Sequence, residues 1–166
     1  MKTYSVVGKS VERTDARVKV TGSARYAGDL VAPGMLHGKL LRSPLAHARI
    51  LSIDTSRARA LPGVRAVITG GDFPGIPFGT RPDIRDQLPM PITKVHHFGE
   101  GVAAVAAVDE DTAEEALDLI EVEYEELPVV LNAQDALSPN APLVNEFKNS
   151  NIAYFSDFVF GDIDKG

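Results

Sequence analysis

Four histidines are the first side chains in the sequence that could bind a metal ion: His37, His47, His96 and His97. A structural zinc site needs four ligands that converge at about 2 Å from the ion. His96 and His97 are adjacent, so on a strand they would point to opposite faces and could not easily share one ion. The chain has no cysteine, which excludes disulfides, thiol catalysis and iron–sulfur ligation within it. We therefore predict no metal site in this chain.

Ser43 and His47 have the residue types of a nucleophile and its general base. A serine nucleophile also needs an orienting acid, and no Gly-x-Ser-x-Gly turn is present. Ser43 precedes Pro44, which has no amide for a sheet, so a turn at a strand end accounts for this serine. The glycines at 70–71 and 99–101 do not lead into a helix, so neither group completes a phosphate-binding loop. We predict no catalytic and no cofactor-binding residue in this chain.

Charge is distributed unevenly along the chain. Residues 1–94 hold 15 Lys and Arg against 7 Asp and Glu, whereas residues 95–166 hold 2 against 16. Ten carboxylates between Asp109 and Glu126 occupy the polar positions of an amphipathic helix and an alternating strand. Two interpretations stay open: a solvated acidic face, or a basic N-terminal arm that docks on an acidic partner. The basic residues are scattered and no aromatic-rich basic strand is present, so we predict no nucleic-acid partner.

The chain of 166 residues, 44% of them hydrophobic, suits one globular domain. Its longest apolar run, residues 102–108, is far too short to cross a bilayer, and residues 1–10 have no apolar signal core. We predict no membrane span and a cytoplasmic location.

The pattern of apolar residues predicts an α+β fold, because the strands mostly run in pairs and two helices are inserted between them. Residues 1–34 are polar and are expected to form an extended N-terminal arm. The predicted order is strands at 35–42 and 46–54, a short helix from Thr55 that Pro62-Gly63 ends, a strand at 64–69, a loop over 72–93 with five prolines, strands at 94–98 and 101–108, a helix at 111–121, a strand at 120–125 and a helical turn at 132–137.

Two elements carry more detailed predictions. Residues 102–108 are all apolar, which predicts a central strand buried on both faces. Thr112 and Glu115 have the spacing of a capping box, which predicts the start of the long helix there.

The segment Ile152–Phe160 is unusually apolar, with three phenylalanines and one tyrosine in nine residues. It could dock on its own domain, or it could lead into a second domain. The sequence around Gly161 favours the second interpretation, a truncated linker over residues 149–166.

Four blocks of the sequence resemble one known family. The first block is Arg13–Asp29, with R-x-D-x-x-x-K-V-T-G-x-A-x-Y-x-x-D, and the second is Gly38–Asp54, with S-P-x-A-H-A-R-I-x-x-I-D from Ser43. The third is Leu61–Gly75, with L-P-G-V-x-A-V-x-T and D-x-P-G, and the fourth is Gly99–Leu137, with G-x-x-V-A-x-V-A-A and then I-x-V-x-Y-E-x-L-P up to Pro128. Together they resemble the N-terminal domain of the molybdopterin-binding subunit in the xanthine dehydrogenase and aldehyde oxidase family. Gly101 departs from the proline usual in the family, and His96-His97-Phe98 replaces a basic-aromatic pair.

The resemblance implies an α/β-hammerhead fold over residues 35–148, with a mixed, largely antiparallel sheet, and a scaffold role in a longer enzyme. Parent enzymes of this family hydroxylate purines, aldehydes, aromatic heterocycles or aromatic acyl-CoA thioesters with a molybdenum–molybdopterin cofactor. The resemblance implies partner chains that carry iron–sulfur clusters and FAD, and a downstream molybdopterin-binding domain that carries the catalytic glutamate. The fragment alone is expected to be inactive.

The resemblance also implies one local role. The loop after the D-x-P-G block, Ile76–Met90, is expected near the mouth of the substrate channel. There Ile76, Phe78 and Leu88 could line an apolar wall. Two alternatives stay open: this loop could pack on another domain of the subunit, and the whole chain could be a free-standing binding module with a hammerhead fold.

Overall fold

The structure is a computed structural model, which describes residues 4–79, 81, 84–145 and 147–166. The chain divides into two compact units, Met1–Met35 and Leu36–Gly166. In the first unit, a short helix α1 (Ala16–Val20) interrupts the segment that we expected to be extended. A 3-10 turn follows at Ala27–Asp29. None of the residues in α1 is buried, so this helix adds no hydrophobic core.

The second unit contains six strands and three helices among its described residues. In chain order they are β1 (His37–Arg42), β2 (Ala48–Asp54), α2 (Ser56–Ala60), β3 (Val64–Thr69), β4 (Lys94–Val95), β5 (Gly101–Ala107), α3 (Glu110–Asp118), β6 (Glu121–Glu126) and α4 (Ala133–Ala136), with short 3-10 turns at Gly70–Asp72 and Ile163–Lys165. The strands form two three-stranded sheets, β1-β5-β3 and β4-β2-β6, in which every pair is antiparallel. The α+β prediction with largely antiparallel strands and two inserted helices, α2 and α3, is confirmed; the division into two sheets was not predicted.

Strand β5 is the centre of the first sheet, as its apolar sequence predicts. It pairs with β1 on one side and β3 on the other. Ala103, Val105 and Ala107 are buried in the cluster that α2 and α3 cover, whereas Val102 belongs to a second cluster with Ala48, Ile50 and Val95 from the other sheet. Leu41 packs against both clusters, so the two sheets share one continuous apolar interior.

Several element boundaries differ from the predictions by one to three residues. The strand expected over 94–98 ends at Val95, because the amide of His96 donates to Glu100 Oε2 at 2.6 Å and not to a neighbouring strand. Helix α3 begins at Glu110, and its N-cap is Asp109, three residues before the expected cap Thr112, because Asp109 accepts from the Thr112 amide at 2.8 Å. The helix ends at Asp118, so Ile120 precedes β6.

Pairs of opposite charge connect the basic first half of the chain to its acidic second half. Lys39 contacts Glu110 and Glu114 on α3, Arg49 contacts Glu125 on β6, and Arg57 contacts Glu121. The hydrogen bonds that Lys39 donates to the two glutamates raise the pKa of Lys39, and the one that Glu110 accepts lowers the pKa of Glu110. Part of the acidic face is therefore neutralised within the domain.

Candidate functional site

The proline-rich loop that we expected to be functional folds back on itself as a small hairpin. The amide of Phe78 donates to the Gln87 carbonyl at 2.8 Å, and the amide of Gln87 donates to the Phe78 carbonyl at 3.0 Å. A second bridge joins Arg81 and Ile84. Thr80, Pro82 and Asp83 lie outside the described residues.

Two glycines allow the close approaches that shape this loop. A Cβ atom on Gly79 would lie 1.6 Å from the Ile84 carbonyl oxygen, which no side chain could tolerate. At the base of the loop, a Cβ atom on Gly70 would lie 2.1 Å from the Pro91 carbonyl oxygen. Glycine at these positions therefore lets backbone pack directly on backbone.

A cleft of about 430 Å³ lies beside the loop. The cleft is lined by Gln87, Leu88 and Pro89 from the loop, by Arg42, and by all residues of the segment 96–101 except Phe98. Asn145 and Asp86 line the same cleft, and the Asn145 side-chain amide donates to the Asp86 carbonyl at 3.0 Å.

Glu100 orders the segment 96–101, which lines the cleft together with the loop. Its Oε2 accepts from the His96 amide at 2.6 Å, and its Oε1 lies 3.4 Å from His96 Nδ1. Its backbone carbonyl also accepts from the Ser43 amide at 2.8 Å. Burial disfavours the charged form of Glu100, but the hydrogen bonds from His96 outweigh it, so the pKa of Glu100 lies below its ordinary value.

The three residues predicted for the channel wall lie in different surroundings. Leu88 is half-buried and lines the cleft. Ile76 and Phe78 are 67% and 49% exposed and are not among the residues that line it. The structure therefore places only Leu88 at the cleft, and the role of all three in a substrate channel stays a prediction.

Ser43 and His47 are both buried; Ser43 makes the hydrogen bonds of a local turn, whereas His47 contacts a segment that is distant in the chain. Ser43 Oγ accepts from the Leu45 amide at 3.1 Å and donates to the Leu45 carbonyl at 3.0 Å. His47 Nδ1 lies 2.6 Å from the Pro128 carbonyl oxygen, and its Nε2 is buried with no partner among the described residues. Ser43 therefore orders the entry to β2, and His47 ties β2 to the segment after β6.

The cleft is lined by charges of both signs, Asp86 and Glu100 together with Arg42, so its described walls offer no continuous cationic surface for the anionic phosphate of a molybdenum–pterin cofactor. Within residues 4–79, 81, 84–145 and 147–166, no group of three or more His, Asp or Glu side chains is arranged to hold a metal ion. Over the same residues, no helix has the length and apolarity to span a bilayer.

Several residues around the cleft were not identified from the sequence. Arg42, His96, Glu100 and Asn145 come from segments up to about a hundred residues apart, and no motif connects them. Two of them had been considered in another role: His96 as a metal ligand, and the glycines on either side of Glu100 as a phosphate-binding loop.

Comparisons with known proteins agree with the fold and the sequence blocks. A family model described as "Aldehyde oxidase and xanthine dehydrogenase, a/b hammerhead domain" matches residues 21–128. A probable xanthine dehydrogenase chain of Bacillus subtilis is 45% identical over 155 residues, which cover 93% of this chain and 20% of that protein. The nicotinate dehydrogenase large molybdopterin subunit of Eubacterium barkeri is 38% identical, with coverage of 98% and 38%.

Among solved structures, quinoline 2-oxidoreductase from Pseudomonas putida 86 superposes with a TM-score of 0.74 at 38% identity, over 89% of this chain and 20% of that one. The chain thus spans about a fifth to two-fifths of the length of these relatives. Because the family model covers well over half of the chain and the fold agrees, this chain belongs to the aldehyde oxidase and xanthine dehydrogenase family, as its hammerhead domain.

Proposed function

We propose that this chain is the scaffold part of the molybdenum subunit of a molybdenum-dependent hydroxylase, and that it does not catalyse the reaction alone. One observation carries the proposal: large subunits of this family match nearly the whole chain, while the chain matches only about a fifth of the Bacillus subtilis protein. In this proposal, residues 1–34 are an N-terminal arm, residues 35–148 are the hammerhead domain, and residues 149–166 lead into a molybdopterin-binding domain.

The exposed apolar tail supports a scaffold over a free-standing binding module. Phe155 is 80% exposed, Phe158 is 91% exposed and Phe160 is fully exposed. An independent domain is expected to bury such side chains, because each aromatic ring in water forgoes roughly 1.5–3 kcal/mol of hydrophobic stabilisation. A scaffold would bury them against the rest of its subunit.

We further propose that the loop Ile76–Met90 borders the substrate channel of the complete enzyme. Leu88 on the cleft wall and the fixed path of the loop support this role. Ile76 and Phe78, which are exposed here, would then face the channel or the domain that covers it. The alternative, in which the loop packs on another domain without reaching substrate, predicts that substitutions at Leu88 leave the KM unchanged.

The cofactor and partners of the complete enzyme belong to the same proposal. Its relatives include subunits named for molybdopterin and molybdenum binding. Bound molybdenum–molybdopterin would supply the hydroxylation chemistry, and partner chains with iron–sulfur clusters and FAD would carry electrons. The substrate would be a small purine, aldehyde, aromatic heterocycle or aromatic acyl-CoA thioester, and the compartment would be the cytoplasm.

The reading frame beyond Gly166 tests the proposal directly. We expect it to continue for several hundred residues. The extended product, made with its partner chains, should contain molybdenum and pterin and should oxidise at least one of xanthine, nicotinate and benzaldehyde. The 166-residue chain, produced alone, should contain neither and turn over none of them. A stop codon directly after Gly166, or pterin bound to the short chain, would refute the scaffold role.

A further inference from the structure

The hairpin of the proline-rich loop has little internal support. It contains only the bridges Phe78–Gln87 and Arg81–Ile84 among its described residues, and Phe78 and Arg81 are exposed. A two-stranded hairpin of this size is marginally stable in water unless other elements hold it. Its defined path therefore requires contacts from elsewhere in the second unit.

Two such contacts come from one segment, residues 145–154, which lies beyond the region that the family model matches. Asn145 Nδ2 donates to the Asp86 carbonyl at 3.0 Å in a half-buried position. The guanidinium carbon of Arg81 lies 4.1 Å from the centroid of the Tyr154 ring, a cation–π distance. One contact lies near the base of the hairpin and the other near its tip.

The same segment is itself anchored to the domain by Asn151. Its Nδ2 donates to the Ala136 carbonyl at 3.2 Å and to the Pro142 carbonyl at 3.0 Å, and its Oδ1 accepts from the Val144 amide at 3.0 Å. Asn145 is fixed further by accepting from the Phe147 amide at 2.9 Å. The bracing segment is therefore held in place at the end of α4 while it contacts the loop.

We propose that Asn145 and Tyr154 are positioning residues that brace the hairpin, set the width of the cleft beside Leu88, and thereby tune which substrates the loop admits. The substrate part of this inference rests on the proposed function. The bracing part does not, because it concerns contacts within this chain alone.

The bracing is tested by amide hydrogen exchange, measured by NMR on the 166-residue chain. Asn145→Ala should speed exchange of the Phe78 and Gln87 amides by roughly five-fold, the effect of losing one hydrogen bond of ordinary strength. Tyr154→Ala should speed it by roughly two- to five-fold, the effect of losing one exposed cation–π contact. Tyr154→Phe retains the aromatic face and should behave as wild type. Trypsin provides a second readout, since it cleaves after Arg85 but not between Arg81 and Pro82, and the two alanine variants should be cut faster after Arg85.

Asn149→Ala is the matched control, because Asn149 is an exposed asparagine in the same segment. Asn149→Ala should leave the amide exchange rates and the rate of trypsin cleavage after Arg85 unchanged. The amide of Val105 in β5 serves as an internal reference for global stability. Equal exchange rates at Phe78 and Gln87 in wild type and both alanine variants would overturn the bracing. So would a parallel increase at Val105, because the effect would then be global.

The complete, molybdenum-loaded enzyme tests the consequence for substrate. With whichever of xanthine, nicotinate and benzaldehyde it oxidises, Asn145→Ala and Tyr154→Ala should raise the KM several-fold and leave kcat within about two-fold, the pattern expected when binding is lost equally in the ground state and the transition state. An unchanged KM, with faster exchange in the short chain, would contradict the channel role and leave the bracing standing. An extended product without molybdenum would contradict the proposed function instead.

Discussion

The ammonium group of Lys39 on β1 lies 2.7 Å from Glu114 Oε1 on α3 and also contacts Glu110, one helical turn earlier. One cation thus joins the edge strand of the first sheet to the helix that covers it. All three side chains reach solvent, so salt should screen this attraction.

Replacing Lys39 by methionine should therefore lower the thermal midpoint slightly at low ionic strength. The difference from wild type should shrink as salt rises from about 0.01 M to about 1 M, where the Debye length falls from about 30 Å to about 3 Å. Thermal unfolding followed by circular dichroism measures it. Lys9→Met, a change of the same charge at an exposed position in the first unit, is the control. If the decrease in the thermal midpoint does not depend on salt, packing of the lysine stem, and not its charge, stabilises the helix.

A methyl group at Gly70 should be far more damaging than one at Gly71. The Cβ atom of Gly70→Ala would lie 2.1 Å from the Pro91 carbonyl oxygen, whereas the nearest atom to a Cβ on Gly71 is Thr69 Oγ1 at 3.7 Å. We expect a loss of about 1–3 kcal/mol for the first, as for other overpacked sites, and little change for the second. Urea unfolding of the two variants measures the difference. Equal stabilities would show that the base of the loop can move away without cost.

The central strand predicts a second matched pair. Val105 is 2% exposed between β1 and β3, and Val108, just after the strand, is 41% exposed. Val105→Ala should lower the free energy of unfolding by about 2–3 kcal/mol, since it leaves a cavity in the core. Val108→Ala should lower the free energy of unfolding by well under half of that amount. If both variants unfold at the same urea concentration, the burial of Val105 in β5 does not contribute more to stability than the exposed position of Val108.

Glu100 predicts a pH dependence. Because its pKa is lower in the folded chain, its contribution to stability is present above the ordinary carboxyl pKa and is lost as the pH falls through the folded value. Glu100→Gln should therefore destabilise the domain by roughly 1–2 kcal/mol at neutral pH, the scale of a charge-assisted hydrogen bond. Towards pH 3 the variant and wild type should converge.

Urea unfolding at several pH values follows this convergence. Glu115→Gln, on the exposed face of α3, is the control and should show neither the loss nor the pH dependence. A stability difference between Glu100→Gln and wild type that stays constant from pH 7 to pH 3 would contradict the ionised state assigned to Glu100.

Much of the fold was accessible from the sequence, because its signals are local. The all-apolar run in β5 predicted a central strand, and the alternating glutamates predicted the half-exposed strand β6. The Pro62-Gly63 pair predicted the end of α2. Gly63 has a φ of 99°, a conformation that glycine adopts readily. The four sequence blocks, taken together, also identified the family.

The candidate site depended on contacts between residues that are distant in the chain. Periodicity could not show that Asn145 reaches the carbonyl of Asp86, 59 residues earlier, or that Tyr154 stacks on Arg81. The sequence showed that Leu88 and Phe78 are both apolar residues of the loop. It could not show that Leu88 lines the cleft whereas Phe78 is exposed.

The sequence by itself therefore determined the composition of the core, the type and order of most elements, and the family. The tertiary structure decided which carboxylates are paired with basic residues, which loop residue reaches the cleft, and what holds the loop in place. The physical reason is that side-chain periodicity and turn chemistry act over a few residues. Ion pairs, braces and clefts exist only after packing has brought separate segments of the chain together.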